Sequence, residues 1–83
     1  MKTIFYFTAD WCGPCKKTRP IVEKLKKDGY QFQIIDADYE QLLAKRFEIM
    51  SVPTFILFEN EKEVARMTGA KTKEELQSFI NGK

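Results

Sequence analysis

Two cysteines are present in the chain, and both lie in the run Trp11-Cys12-Gly13-Pro14-Cys15-Lys16. Residues three apart are neighbours on one turn of a helix. That spacing brings the two sulfurs within bonding reach, since a disulfide wants its Cβ atoms roughly 3.8 Å apart. A pair that closes and opens in this way stores two electrons, which points first to dithiol–disulfide exchange. Zinc sites use the same spacing but need about four ligands. With no histidine and no third cysteine, a zinc site here would require two chains to meet. A purely structural staple is the third reading, and closing so short a loop removes little unfolded-state entropy.

The nucleophile of such an exchange is a thiolate. Cys12 is expected at a helix N-terminus, where unpaired N–H groups and the helix dipole favour negative charge. Cys15, one turn deeper, is expected to be less exposed and to hold its proton more tightly. Cys12 is then the residue that attacks a target disulfide, and Cys15 the residue that resolves the mixed disulfide and releases the reduced target.

The elements that must hold this pair are legible on either side of it. Ile4-Phe5-Tyr6-Phe7 is an unbroken apolar run suited to a central strand covered on both faces. Thr8-Ala9-Asp10 leads into the motif, and Pro14 falls in the first turn of a helix, where a missing N–H costs nothing. Ile21, Val22 and Leu25 continue that helix, Pro20 should kink it, and Gly29 stops it. Gln31–Asp36 reads as a second strand, Tyr39–Phe47, which carries Leu42, Leu43 and Phe47, as a short helix, and Thr54–Phe58 as a third strand. Glu59–Lys62 turns into an exposed edge strand, Glu63–Met67, in which Val64 sits between charged neighbours. Thr72 and Glu75 form a capping box, and Leu76, Phe79 and Ile80 give the last helix its apolar stripe. The order is βαβαββα. Right-handed crossovers then give an α/β fold with a four-stranded mixed sheet and helices on both faces. Phe5, Phe7, Phe32, Phe55 and Phe58 are expected in the core, and Tyr6 as a packing residue whose hydroxyl is hydrogen-bonded.

The 83 residues read as a single domain, 1–83, in which roughly 60–65 % of the unfolded chain's surface can be buried. A hydrophobic fraction of 43 % with seven phenylalanines is that of a folded globule. A net charge of +2 is too mild to indicate nucleic acid. Lys16, Lys17, Lys24, Lys26 and Lys27 share one helix and read as a solvated face. Neither a secretory h-region nor an apolar run near the roughly 20 residues of a membrane span is expected. The reading is a cytoplasmic protein, where a Cys-x-x-Cys is more often catalytic than structural.

The sequence resembles the thioredoxin family. Trp11–Lys16 matches that family's active-site motif, Pro20 stands where its kinked helix has a proline, and Ser51-Val52-Pro53-Thr54 is similar to its cis-proline segment. Thr68-Gly69-Ala70 resembles the loop that completes its substrate groove. The resemblance covers essentially the whole chain and implies a minimal member lacking the family's leading strand and helix. It implies a protein-disulfide reductase in which Cys12 and Cys15 form the redox-active disulfide. Trp11, Gly13, Pro14, Val52, Pro53, Gly69 and Ala70 would line the substrate groove. It also implies a cis bond before Pro53 that offers the Val52 backbone to an extended peptide, and Asp38 as an acceptor for the Trp11 indole. Gly13-Pro14 tends to favour the reducing form of the family.

No bound cofactor or metal is expected. The implied electron source is a flavin-dependent thioredoxin reductase using NADPH, and the implied targets are disulfide-containing proteins such as ribonucleotide reductase. The expected state is a monomer serving electron transport and cell redox homeostasis, without nucleic-acid or membrane partners. One departure is marked: the family's buried aspartate, six residues before the first cysteine, is Tyr6 here, and the lysine often near it falls at Ile34. Alternatives are a glutaredoxin-like protein, a dedicated ribonucleotide reductase electron donor, or a non-catalytic binding module that keeps the fold as a scaffold.

Overall fold

The apolar run at Ile4–Phe7 is the middle of a seven-residue strand, β1 (Lys2–Thr8), at the centre of the sheet. A computed structural model describes residues 1–82. After β1 come α1 (Gly13–Lys27), β2 (Phe32–Asp36), α2 (Gln41–Arg46), β3 (Thr54–Glu59), β4 (Lys62–Thr68) and α3 (Lys73–Asn81). The strand order is β2-β1-β3-β4. β1 pairs parallel with β2, while β1–β3 and β3–β4 are antiparallel. The expected βαβαββα order and mixed four-stranded sheet are the observed ones.

Because successive strand residues point to opposite faces, β1 feeds two cores. Ile4 and Tyr6 join Val22 and Leu25 of α1, Phe55 and Leu57 of β3, and Leu76 and Ile80 of α3. Phe7 faces the other way and packs with Ile35 and Ile56 beneath Leu43, Ala44 and Phe47. α1 and α3 therefore cover one face and α2 the other.

α2 is shorter than expected and starts at Gln41 rather than Tyr39. The side chain of Asp36 takes the N–H groups of Asp38 and Tyr39 at 2.8 and 3.3 Å, which holds that stretch in a turn. A six-residue helix has room for only one apolar side. Leu43 and Phe47, four apart, occupy it, and Leu42 is left 86 % exposed. Phe5 and Phe58 are only half-buried under so short a helix, although they pack against each other and Phe47.

On the edge strand β4, Leu57 opposes Ala65 and Phe58 opposes Glu63. Val64 is thus the extra residue of a bulge. It projects outward with no partner opposite. The bulge, together with the Arg66–Glu63 ion pair at 2.7 Å, blunts an edge that would otherwise be free to pair with another chain.

α3 carries the expected capping box. Thr72 Oγ1 accepts from the Glu75 N–H at 3.1 Å, and Glu75 Oε1 accepts from the Thr72 N–H at 2.9 Å. The Thr72 backbone bond, then the Thr72 side chain, holds the Glu75 carboxyl below the usual carboxylate range. A carboxylate with a lowered folded pKa stabilises the fold above its unfolded pKa, and that stabilisation is lost as pH falls through the folded value. Protection of the amides at the start of α3, taken relative to their intrinsic exchange rates, should therefore fall below about pH 4. Glu75→Gln should flatten that dependence, and an unchanged acid profile would remove the carboxylate from the cap.

Candidate functional site

Cys12 occupies the N-cap of α1, with extended backbone at φ −85° and ψ 112°. Its Sγ accepts the backbone N–H of Cys15 at 3.1 Å, so the sulfur takes the place that a serine or aspartate oxygen has at other helix starts. The Cys12 carbonyl opens the helical ladder by accepting from Lys16 N–H at 3.2 Å. Pro14 lies within the first turn, where no donor is lost. Thr18 Oγ1 donates to the Pro14 carbonyl at 2.9 Å and tightens that turn.

Cys12 and Cys15 are joined as a disulfide with their Cα atoms 5.2 Å apart. Both are buried, at 3 % and 1 % exposure. The expected order of exposure holds by too thin a margin to separate the two sulfurs. Position at the helix terminus distinguishes them instead. Ala9 and Val52 pack against the pair. Ala9 also accepts the Cys12 N–H at 3.2 Å. It lies outside the expected set of site residues, because a lone alanine carries no pattern in sequence.

The Val52–Pro53 peptide bond is cis, and the Val52 carbonyl oxygen stands 3.6 Å from Cys12 Sγ. In the disulfide that sulfur has no proton to donate, so the approach is a contact rather than a hydrogen bond. Thr54 Oγ1 donates to the Ser51 carbonyl at 2.7 Å and Gly69 N–H to the Pro53 carbonyl at 2.9 Å, which pins this loop from both ends. Gly69 has φ +89°, a left-handed backbone that favours glycine. A Cβ built there would meet no atom of the chain within 4 Å, so that side is open. Gly13, Pro14 and Ala70 are exposed.

Trp11 is 69 % exposed and held at one edge, its Nε1 donating to Asp38 Oδ2 at 2.9 Å. The ring thus lies as an open flat surface next in sequence to Cys12.

Tyr6 is fully buried and stacked on Phe55, with ring centroids 5.0 Å apart and planes 15° from parallel. Its hydroxyl donates to the Cys15 carbonyl oxygen at 3.1 Å. Burial raises the phenol above its ordinary pKa, against smaller opposing effects of Thr8 and Arg19, so it is neutral at physiological pH. Ile34 lies directly opposite Tyr6 on β2. Neither residue supplies a charge beneath Cys15. A cavity of about 230 Å³ lined by Thr8, Asp10, Cys15, Lys16 and Arg19 opens instead beside that residue.

Among the described residues no group of three or more His, Cys, Asp or Glu side chains is placed to hold a metal ion, and no helix is long and apolar enough to cross a membrane.

The thioredoxin family model matches residues 1–82. The chain belongs to the thioredoxin family. Thioredoxin of Chlamydia pneumoniae is 43 % identical over 77 residues, which cover 90 % of this chain and 76 % of that one. The solved structure of a mutant thioredoxin from Halobacterium salinarum superposes with a TM-score of 0.92 at 33 % identity, over 98 % of this chain and 73 % of that one. The bifunctional thioredoxin reductase/thioredoxin of Mycobacterium leprae is 37 % identical over 70 residues, 81 % of this chain and 15 % of its own length. With the Cys-x-x-Cys pair in place, the protein is a thiol–disulfide oxidoreductase of a family that reduces protein disulfides through its dithiol.

Proposed function

We propose that Cys12 is the attacking thiol and Cys15 the resolving thiol of a protein-disulfide reductase. The observation that carries this is the N-cap geometry: the Cys15 N–H aimed at Cys12 Sγ at 3.1 Å favours a negative charge on that sulfur, and the helix dipole adds to it. The Cys12 thiolate bonds one sulfur of a target disulfide, and the other target sulfur leaves as a thiolate and takes a proton. Cys15 then gives up its proton and bonds Cys12 Sγ, and the second target sulfur departs. The target gains two electrons and the chain ends as the Cys12–Cys15 disulfide.

Trp11, Gly13, Pro14, Val52, Pro53, Gly69 and Ala70 form the docking groove in this reading. An extended target segment lies along the Val52 backbone, over the open side of Gly69. Trp11→Ala should raise KM for a protein disulfide about tenfold through lost contact area, with kcat nearly unchanged. An unaltered KM would take the indole out of the groove.

Electrons come from a thioredoxin reductase, a pairing supported by the M. leprae relative that carries both names. The reductase is flavin-dependent and uses NADPH, and ribonucleotide reductase is among the targets. The chain works as a cytoplasmic monomer and as a single domain, the latter supported by two cores built on one shared sheet. Turnover of an insulin-type disulfide should proceed with NADPH and such a reductase. Turnover only with glutathione would make the protein glutaredoxin-like. A Cys12→Ser/Cys15→Ser double variant that kept full biological activity would make it a scaffold.

A further inference from the structure

We propose that Asp36, which touches neither cysteine, is a positioning residue that sets Trp11 for substrate through Asp38. It is the last residue of β2, paired with Thr8 at the end of β1, so the sheet itself fixes its backbone. Its side chain then reaches past the strand end. Oδ1 accepts the N–H of Asp38 at 2.8 Å and that of Tyr39 at 3.3 Å, and its carbonyl accepts the Glu40 N–H at 2.8 Å. One residue thereby closes the turn between β2 and α2 from both its side chain and its backbone.

That turn carries Asp38. Its Oδ2 holds the Trp11 Nε1 at 2.9 Å, and its carbonyl accepts from Gln41 Nε2 at 3.0 Å. Trp11 is otherwise open, and among the described residues the Asp38 carboxylate is the hydrogen-bond partner of the indole. The ring precedes the helix N-cap in a turn, and at 69 % exposure it has little packing to fix its rotamer. Its orientation therefore depends on where the Asp38 carboxylate stands, and Asp36 decides that. A short carboxylate or amide is needed at position 36, because the ring closed onto N–H groups two and three residues on fits Asp or Asn and not a longer side chain.

The proposal rests on the reading of Trp11 as a docking surface, and the experiment separates the two. With an insulin-type protein disulfide, Asp36→Ala should raise KM about fivefold, roughly 1 kcal/mol, with kcat within about twofold of the parent. Asp36→Asn keeps the Oδ1 acceptor and should restore KM. Asp36→Glu keeps the charge but not the reach, and should behave like Asp36→Ala even if the alanine variant folds poorly. Because Trp11 is the only tryptophan, its single indole N–H resonance reports the effect directly. Exchange of that proton with water should quicken in Asp36→Ala and Asp36→Glu and return to the parent rate in Asp36→Asn. If Trp11→Ala raises KM but Asp36→Ala and Asp36→Glu leave both KM and indole exchange unchanged, the positioning role is overturned while the docking role stands. If Trp11→Ala leaves KM unchanged, the docking role itself fails. A loss of thermal stability in Asp36→Ala with no change in indole exchange would make Asp36 a turn residue only and overturn the proposal.

Discussion

Cys15→Ser is expected to turn the protein from a catalyst into a trap. Attack by Cys12 on a target disulfide needs only the first sulfur, so the mixed disulfide forms. Release needs the second. Intramolecular groups held this close act at effective molarities up to about 10⁵–10⁸ M, which no external thiol at millimolar concentration matches. Turnover of a protein disulfide should therefore fall by at least about a thousandfold. Covalent adducts with target proteins should accumulate and be visible as mass increments lost on reduction. Cys12→Ser should abolish turnover equally and form no adducts. Adducts on Cys12→Ser instead would exchange the two roles. The packing of Ala9 and Val52 against the pair gives no reason for that exchange, whereas the Cys15 N–H directed at Cys12 Sγ gives one against it.

Tyr6→Asp has the second-largest expected effect, and it falls on stability. The substitution removes a fully buried ring stacked on Phe55, a truncation that costs about 3–5 kcal/mol. It also buries a carboxyl across from Ile34, and desolvation raises the pKa of such a group. For a domain of this size the loss corresponds to about 15–30 °C in Tm. Tyr6→Phe keeps the ring and removes only the donor to the Cys15 carbonyl, at about 0.5–1.5 kcal/mol. Disulfide reduction should survive it nearly intact. With the hydroxyl spent on a backbone carbonyl and the phenol held neutral by burial, Tyr6 has no free base to offer Cys15. The cavity between Thr8, Asp10, Lys16 and Arg19 adjoins Cys15. Should Tyr6→Phe slow the resolving step more than about tenfold at unchanged stability, some 1.4 kcal/mol on the barrier, the phenol would be a catalytic group.

The residues legible in the sequence share a property: their signal is local. Pro14 inside a first helical turn, the Thr72–Glu75 box and the apolar run around Tyr6 each act within about one turn or one strand. The features that sequence misses depend on choices made across the fold. Leu42 is as apolar as Leu43, but α2 has one buried side and Leu43 and Phe47 fill it. The start of α2 shifts because Asp36, on a different element, captures the N–H groups of residues 38 and 39. Val64 reads as one member of an alternating strand, and only the register against Leu57 and Phe58 shows it to be the bulged residue. The burial of Cys12 is tertiary in the same sense, since Val52 arrives from a loop 40 positions away. Exposure therefore says little about which sulfur attacks, and helix position says most.

The order in which the two reduced thiols react with iodoacetamide below neutral pH tests that assignment most directly. Thiolates react and thiols do not, and sites at helix N-termini or beside cations have pKa values generically between about 3.5 and 7.5. Peptide mapping after brief exposure should find carbamidomethyl groups on Cys12 well ahead of Cys15. Equal labelling, or Cys15 labelled first, would contradict the assignment of Cys12 as the attacking thiol.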